Sequence, residues 1–165
     1  MSRTVQAFGV DVAALRRLVG SSSPTLIGGL GPDARAIVSG SVPQDPVAAV
    51  HALEELCAAL GRRLSNTTLA PASAYLLERV DLAMDADGVS PEFRLQRVVY
   101  RGAPVAIPPA PDYPFVGYVE WDELAPALTR LPASTDELVD DALREMEDWF
   151  DILRIGHRGI VGFYY

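Results

Sequence analysis

The sequence predicts an α+β fold, a small, mostly antiparallel or mixed sheet packed against about four to six helices in a single domain over residues 1–165. Three observations predict it. Helical stripes and short apolar runs follow one another without a strand–helix–strand rhythm or an internal repeat, which disfavours a doubly wound parallel sheet. A long amphipathic stretch leads into a charge-free run at 160–165, rich in β-branched and aromatic residues, as in a strand buried on both faces. A chain of 165 residues also removes roughly 70% of its unfolded surface from water, so no disulfide or metal is needed as a staple.

Taken in order, residues 4–10 read as a strand, and Asp11 is placed to cap a helix that turns Val12, Leu15 and Leu18 inward. The cluster Ser21-Ser22-Ser23-Pro24 is a loop or a helix start. Gly28-Gly29-Leu30-Gly31-Pro32 is a break before a short helix around 34–38; its glycines have neither dinucleotide-binding spacing nor the Lys-Ser/Thr of a phosphate loop, so it reads as a turn. Asp45-Pro46 opens a clearer helix, with Val47, Val50, Leu53, Leu56, Cys57 and Leu60 as its buried face and Gly61 as its end. His51 falls at the edge of that face. Cys57, among apolar neighbours and with no base nearby in sequence, reads as a small core residue.

Beyond the polar segment 64–68 and Pro71, the residues Tyr75, Leu76, Val80 and Met84 form a helical stripe ending at Asp87-Gly88. Ser90-Pro91 repeats the cap-plus-proline start, for a short helix carrying Phe93, Leu95, Val98 and Val99 to Arg101-Gly102. Five prolines then fall within residues 104–114. Each removes a backbone donor and fixes φ, so this piece is neither helix nor central strand but a strap across the domain. Residues 115–119 read as a strand that shares a sheet with the first and last strands. Glu120 or Asp122 starts a helix through Leu124, Ala127, Leu128 and Leu131, which Pro132 stops. In the last helix, Ser134 or Thr135 caps the first turn, Ser134 and Glu137 have capping-box spacing, and Val139, Ala142, Leu143, Met146, Trp149, Phe150 and Leu153 share the buried side.

Three pieces together, Val10-Asp11-Val12-Ala13-Ala14-Leu15, the stretch from Val99-Tyr100-Arg101-Gly102 through Asp112-Tyr113-Pro114 to Gly117-Tyr118, and the ending Gly162-Phe163-Tyr164-Tyr165, resemble small uncharacterised bacterial proteins in the neighbourhood of the YfbM-like proteins. The outline spans nearly the whole chain, apart from the segment between the serine cluster and Gln44. The resemblance implies one domain and an α+β fold. It supplies no activity, cofactor or site.

All 14 basic residues are arginine, which reads as the codon bias of a GC-rich bacterial genome more than as selection for phosphate binding. The acids are concentrated. Residues 112–151 hold 12 of the 22 carboxylates against two arginines, Arg130 and Arg144. Such a surface repels nucleic acid and anionic membrane, which need cationic neutralisation. A single cysteine, the lack of a basic-plus-apolar leader and the lack of a run of about 18 apolar residues point to the cytoplasm. No metal-ligand spacing and no cofactor motif are present.

Three classes of function follow as expectations. The first is an interaction protein that uses the acidic helix face of Asp136, Asp140, Asp141, Glu147, Asp148 and Asp151 to bind a basic protein partner, or else keeps that face merely solvated. The second is a small-ligand binder with a pocket under the 103–114 strap, lined by Tyr100, Arg101 and Tyr113. The third is an enzyme whose site is assembled from distant residues, with no catalytic residue identifiable. Trp121, His157 and Arg158 sit at element ends, and Glu145 with Asp148, or Asp148 with Asp151, could pair carboxylates one turn apart.

Overall fold

The computed structural model describes residues 3–22, 28–128 and 131–165. Four strands form one antiparallel sheet, β1 (Val5–Val10), β2 (Arg62–Arg63), β3 (Phe115–Val119) and β4 (Gly159–Tyr164), in the order β2-β1-β4-β3. Seven α-helices accompany it among the described residues: α1 (Val12–Leu18), α2 (Pro32–Val38), α3 (Pro46–Leu60), α4 (Ala74–Ala86), α5 (Leu95–Tyr100), α6 (Trp121–Leu124) and α7 (Glu137–Gly156). The fold is α+β, as the sequence predicts. The seven helices are one more than the expected four to six, and the helix expected to run through Leu131 is cut short: α6 is a single turn, after which Pro126 shifts the chain into a 3-10 turn at Ala125–Ala127. Leu128 and Leu131 are still buried, but from coil. The Ser23-Pro24 end of the serine cluster and residues 129–130 of the expected helix lie outside the described residues.

The first and last strands are neighbours at the centre of the sheet. Their ladder runs from Val5↔Tyr164 to Val10↔Gly159, and β3 adds on the far side of β4 from Phe115↔Tyr164 to Val119↔Ile160. Alternation along these strands feeds two cores. Val5, Ala7, Ile160 and Tyr164 face α4, α5 and α7; Phe8, Val10, Val161 and Phe163 face α1, α2 and α3. Every residue of β4 is therefore buried.

Across the first face runs a row of small residues, Ala7↔Gly162↔Gly117, and α5 lies directly on it. A Cβ added to Gly117 would sit 2.2 Å from the Arg97 carbonyl oxygen, and one on Gly162 would sit 2.4 Å from that of Val98. Only glycine admits the helix backbone so close to the sheet.

Helix ends reveal where local reading stops. Asp11 caps α1, accepting from the Ala14 N–H at 2.8 Å, and Asp45 caps α3 from the Val47 N–H at 3.0 Å, both as expected. The helix expected at Ser90-Pro91 instead begins at Leu95, and its cap comes from another helix. The buried carboxylate of Asp81, on α4, accepts from the N–H groups of Leu95 at 2.6 Å and Gln96 at 3.0 Å, satisfying donors that the first turn leaves open. In α7 the cap is Asp136, which accepts from the Val139 N–H at 3.1 Å, while the Ser134 hydroxyl accepts from the Asp136 N–H at 3.2 Å. Two apolar residues placed on buried stripes, Val47 and Tyr75, point outward.

Candidate functional site

The strap is held at one end by Arg16, whose Nε donates to the Pro104 carbonyl at 3.0 Å while its guanidinium reaches the Tyr118 hydroxyl at 3.1 Å and pairs with Glu120 at 2.9 Å. At its other end Tyr113 packs its ring 4.6 Å from that of Phe115 and 5.6 Å from that of Tyr164, with the Arg3 guanidinium 4.2 Å over its face. Beneath the strap is a cleft of about 170 Å³ lined by Tyr100, Ile107, Pro108, Pro114, Phe115 and Val50. Of the three residues expected to line it, only Tyr100 does. Tyr113 is the strap's anchor. Arg101 turns away to Glu123 at 2.5 Å and lies 4.3 Å over the Tyr118 ring. Glu123 also pairs with Arg97 at 3.0 Å; partial burial works to raise its carboxyl, but the hydrogen bond from Arg101 and the nearby charges win and hold it below the usual range.

A second cleft, of about 360 Å³, opens between α3 and the end of the sheet, with Gln6, Phe8, His51, Glu54, Glu55 and Arg63 around it. His51 stacks on Tyr165, centroids 5.7 Å apart and planes 18° apart, with Nδ1 3.5 Å from the Tyr165 hydroxyl and 3.8 Å from Glu54 Oε2. The Tyr165 hydroxyl donates to Glu54, and burial together with that hydrogen bond pushes its phenol up. Glu55 accepts from the Gly31 N–H at 2.6 Å. These groups close on one another and tie α3 to the sheet and to the start of α2. Sequence reading noticed His51 but missed its partners: nothing local signals a contact between residues 51 and 165. The Cys57 thiol on the same helix is pushed up by burial, with Glu54 adding to the effect, so no thiolate is on hand.

The acidic side of α7 divides in two. Asp136, Asp140 and Glu147 are half-buried and engaged: Asp136 caps the helix and pairs with Arg79, Asp140 accepts from the Ser134 N–H at 2.9 Å and pairs with Arg144 at 2.8 Å, and Glu147 accepts from the Leu131 N–H at 3.1 Å. Asp141, Asp148 and Asp151 are exposed, as is Glu137. Asp151 pairs with Arg154 at 3.3 Å; among the described residues Glu137, Asp141 and Asp148 have no ion-pair partner. Glu145 is not part of this face. It is buried, and its carboxylate accepts from the N–H groups of Thr67, Thr68 (2.8 Å) and Leu69 (3.3 Å). Residues 121 and 157 meet as a ring pair, Trp121 and His157 at 4.8 Å, where His157 forms the left-handed end of α7.

Residues 29–165 match a family described as Domain of unknown function (DUF7691). The chain belongs to that family. No curated protein and no solved structure matches it. The DUF7691 match takes in the strap, α3 and the whole of α7, and begins beyond β1 and α1, although β1 pairs with β4 along its full length. No helix among the described residues is long and apolar enough to cross a membrane, and no group of three or more metal-ligating side chains occurs among them.

Proposed function

We propose that this DUF7691 protein is an interaction protein that binds a basic protein segment on the outward side of α7. The observation that carries the reading is the set Glu137, Asp141 and Asp148, exposed carboxylates without a cationic partner among the described residues. They stand on a 20-residue helix whose opposite side is core. A charged row fixed on a rigid helix can steer an oppositely charged partner and set its register. Engagement of Asp136, Asp140 and Glu147 inside the chain leaves them as supports of the face. The strap cleft favours a ligand less: at about 170 Å³ it is smaller than the roughly 300–1,000 Å³ of typical ligand pockets. The same reading puts the chain in a bacterial cytoplasm and near the YfbM-like proteins; arginine-only basic composition, one buried thiol and the resembling segments support it.

The test is charge reversal with a synthetic arginine-rich peptide as probe, followed by fluorescence anisotropy. Replacing Glu137, Asp141 and Asp148 by arginine is expected to weaken binding roughly tenfold or more at about 0.1 M salt, with the difference shrinking at about 1 M. The control reverses Asp33, Asp87 and Asp112, which are exposed and lie elsewhere. Equal losses in the two triple variants would reduce the α7 face to a solubilising surface.

A further inference from the structure

We propose that the outward side of α4 and the first turn of α7 form an apolar docking patch for a basic amphipathic helix, a proposal that rests on the reading of α7 as a face for basic segments. An amphipathic helix turns its polar side to water. Yet α4 turns out Tyr75 and Leu82, 66% and 58% exposed, and α7 turns out Leu138 at 50%. These positions adjoin one ion pair. Arg79 on α4 pairs with Asp136, the cap of α7, and its guanidinium lies 5.4 Å from the centre of the Tyr75 ring. Tyr75 precedes Arg79 by one turn and Leu82 follows it by one turn, so both share the Arg79 side of α4, and Leu138 stands in the first turn of α7, which the Asp136 pair ties to α4.

Tyr75 and Leu82 beside a satisfied ion pair, with Leu138 in the turn that this pair reaches, have the make-up of an interface centre, and the exposed carboxylates Glu78, Glu137 and Asp141 on the same two helices supply its rim. The charge chooses the occupant. A second copy of this chain, using the same patch, would bring like carboxylates against each other. A helix with leucine-type side chains at three- and four-residue spacing and Lys or Arg beside them would fill the patch and neutralise the rim together.

The test uses two synthetic peptides of roughly 18 residues with one composition of Leu and Lys, one in amphipathic order and one with the leucines scattered around the helix. Binding is measured by anisotropy at about 0.15 M salt. Wild type is expected to bind the amphipathic peptide roughly tenfold more tightly than the scattered one. Leu82→Gln with Leu138→Gln should bring that ratio to about one and leave binding of the scattered peptide unchanged; glutamine is a good helix former, so the fold is kept. Tyr75→Gln alone should lower the ratio severalfold and serves if the double variant loses its thermal transition. A ratio of about one in wild type, or a ratio preserved in both variants, overturns the patch. If both peptides then still bind and the Glu137/Asp141/Asp148 reversal weakens them equally, the acidic-face reading survives alone. If neither peptide binds, both readings fall.

Discussion

On one face of the sheet α5 lies on bare backbone, over Gly162 and Gly117, and the two buried carboxylates among the described residues, Asp81 and Glu145, fasten the start of α5 and the loop at 67–69 from a distance. On the other face α1, α2 and α3 rest on Phe8, Val10, Val161 and Phe163, with Phe8 and Phe163 edge to face at 5.9 Å, and no charged side chain among the described residues is buried there. The difference teaches where specificity resides. The second face is held by apolar volume, which tolerates exchange of similar shapes. The first depends on backbone approach and on carboxylates that leave orphaned N–H groups behind if removed, so it is intolerant at a few positions.

The largest expected effect tests whether the two faces melt together. Trp149 is buried and donates from Nε1 to the Ser65 carbonyl at 2.7 Å, so Trp149→Ala should cost about 3–5 kcal/mol. Leu53→Ala on the opposite face should cost about 2–5 kcal/mol. Urea denaturation of the Leu53 variant followed by tryptophan fluorescence and by far-ultraviolet circular dichroism should give coincident transitions. Separate transitions would mean that the sheet does not couple its faces.

Next come the glycines. Gly117→Ala and Gly162→Ala force α5 off the sheet and should each cost about 1–3 kcal/mol, the usual penalty of overpacking, whereas Ala58→Gly at an exposed position of α3 should cost only about 1 kcal/mol through helix propensity. Equal midpoints for Gly117→Ala and wild type would show that α5 can withdraw freely.

A last effect concerns pH. Burial pushes the Asp81 carboxyl up to about 6, while the N–H groups of Gln96 and Leu95 and the charge of Arg94 work against the rise. Its folded value lies above the unfolded one, so the folded chain holds a proton that the unfolded chain releases. Stability should therefore decline as pH climbs from about 4 to about 6, and Asp81→Asn should flatten that slope relative to wild type. A slope unchanged in the variant would mean that the N–H bonds, not burial, dominate at Asp81.

Much of this architecture was legible because its signals are local. Strands β1, β3 and β4, and helices α1, α3 and α7, announce themselves through alternation, helical stripes and caps within a few residues. What was missed depends on distant partners. The start of α5 is set by Asp81, fourteen residues before Leu95, and the buried state of Glu145 by the backbone at 67–69. A two-residue β2 has no pattern to read. At the candidate site, Tyr100 could be placed beside the strap by proximity in sequence, but whether Arg101 turns inward or toward Glu123 depends on α6. The division of the acidic residues into engaged and exposed sets likewise depends on residues 131–134 and on α4.

The central pairing of β1 with β4 carries a consequence for synthesis. The chain leaves the ribosome from its N-terminus, and β1 must wait until Gly159–Tyr164 has been made before its main ladder can form. Until then β2 offers it two residues of pairing, and Val5, Ala7, Phe8 and Val10 have no finished core to enter. During that interval the nascent chain exposes an apolar edge, a natural target for a chaperone and a point of entry for aggregation.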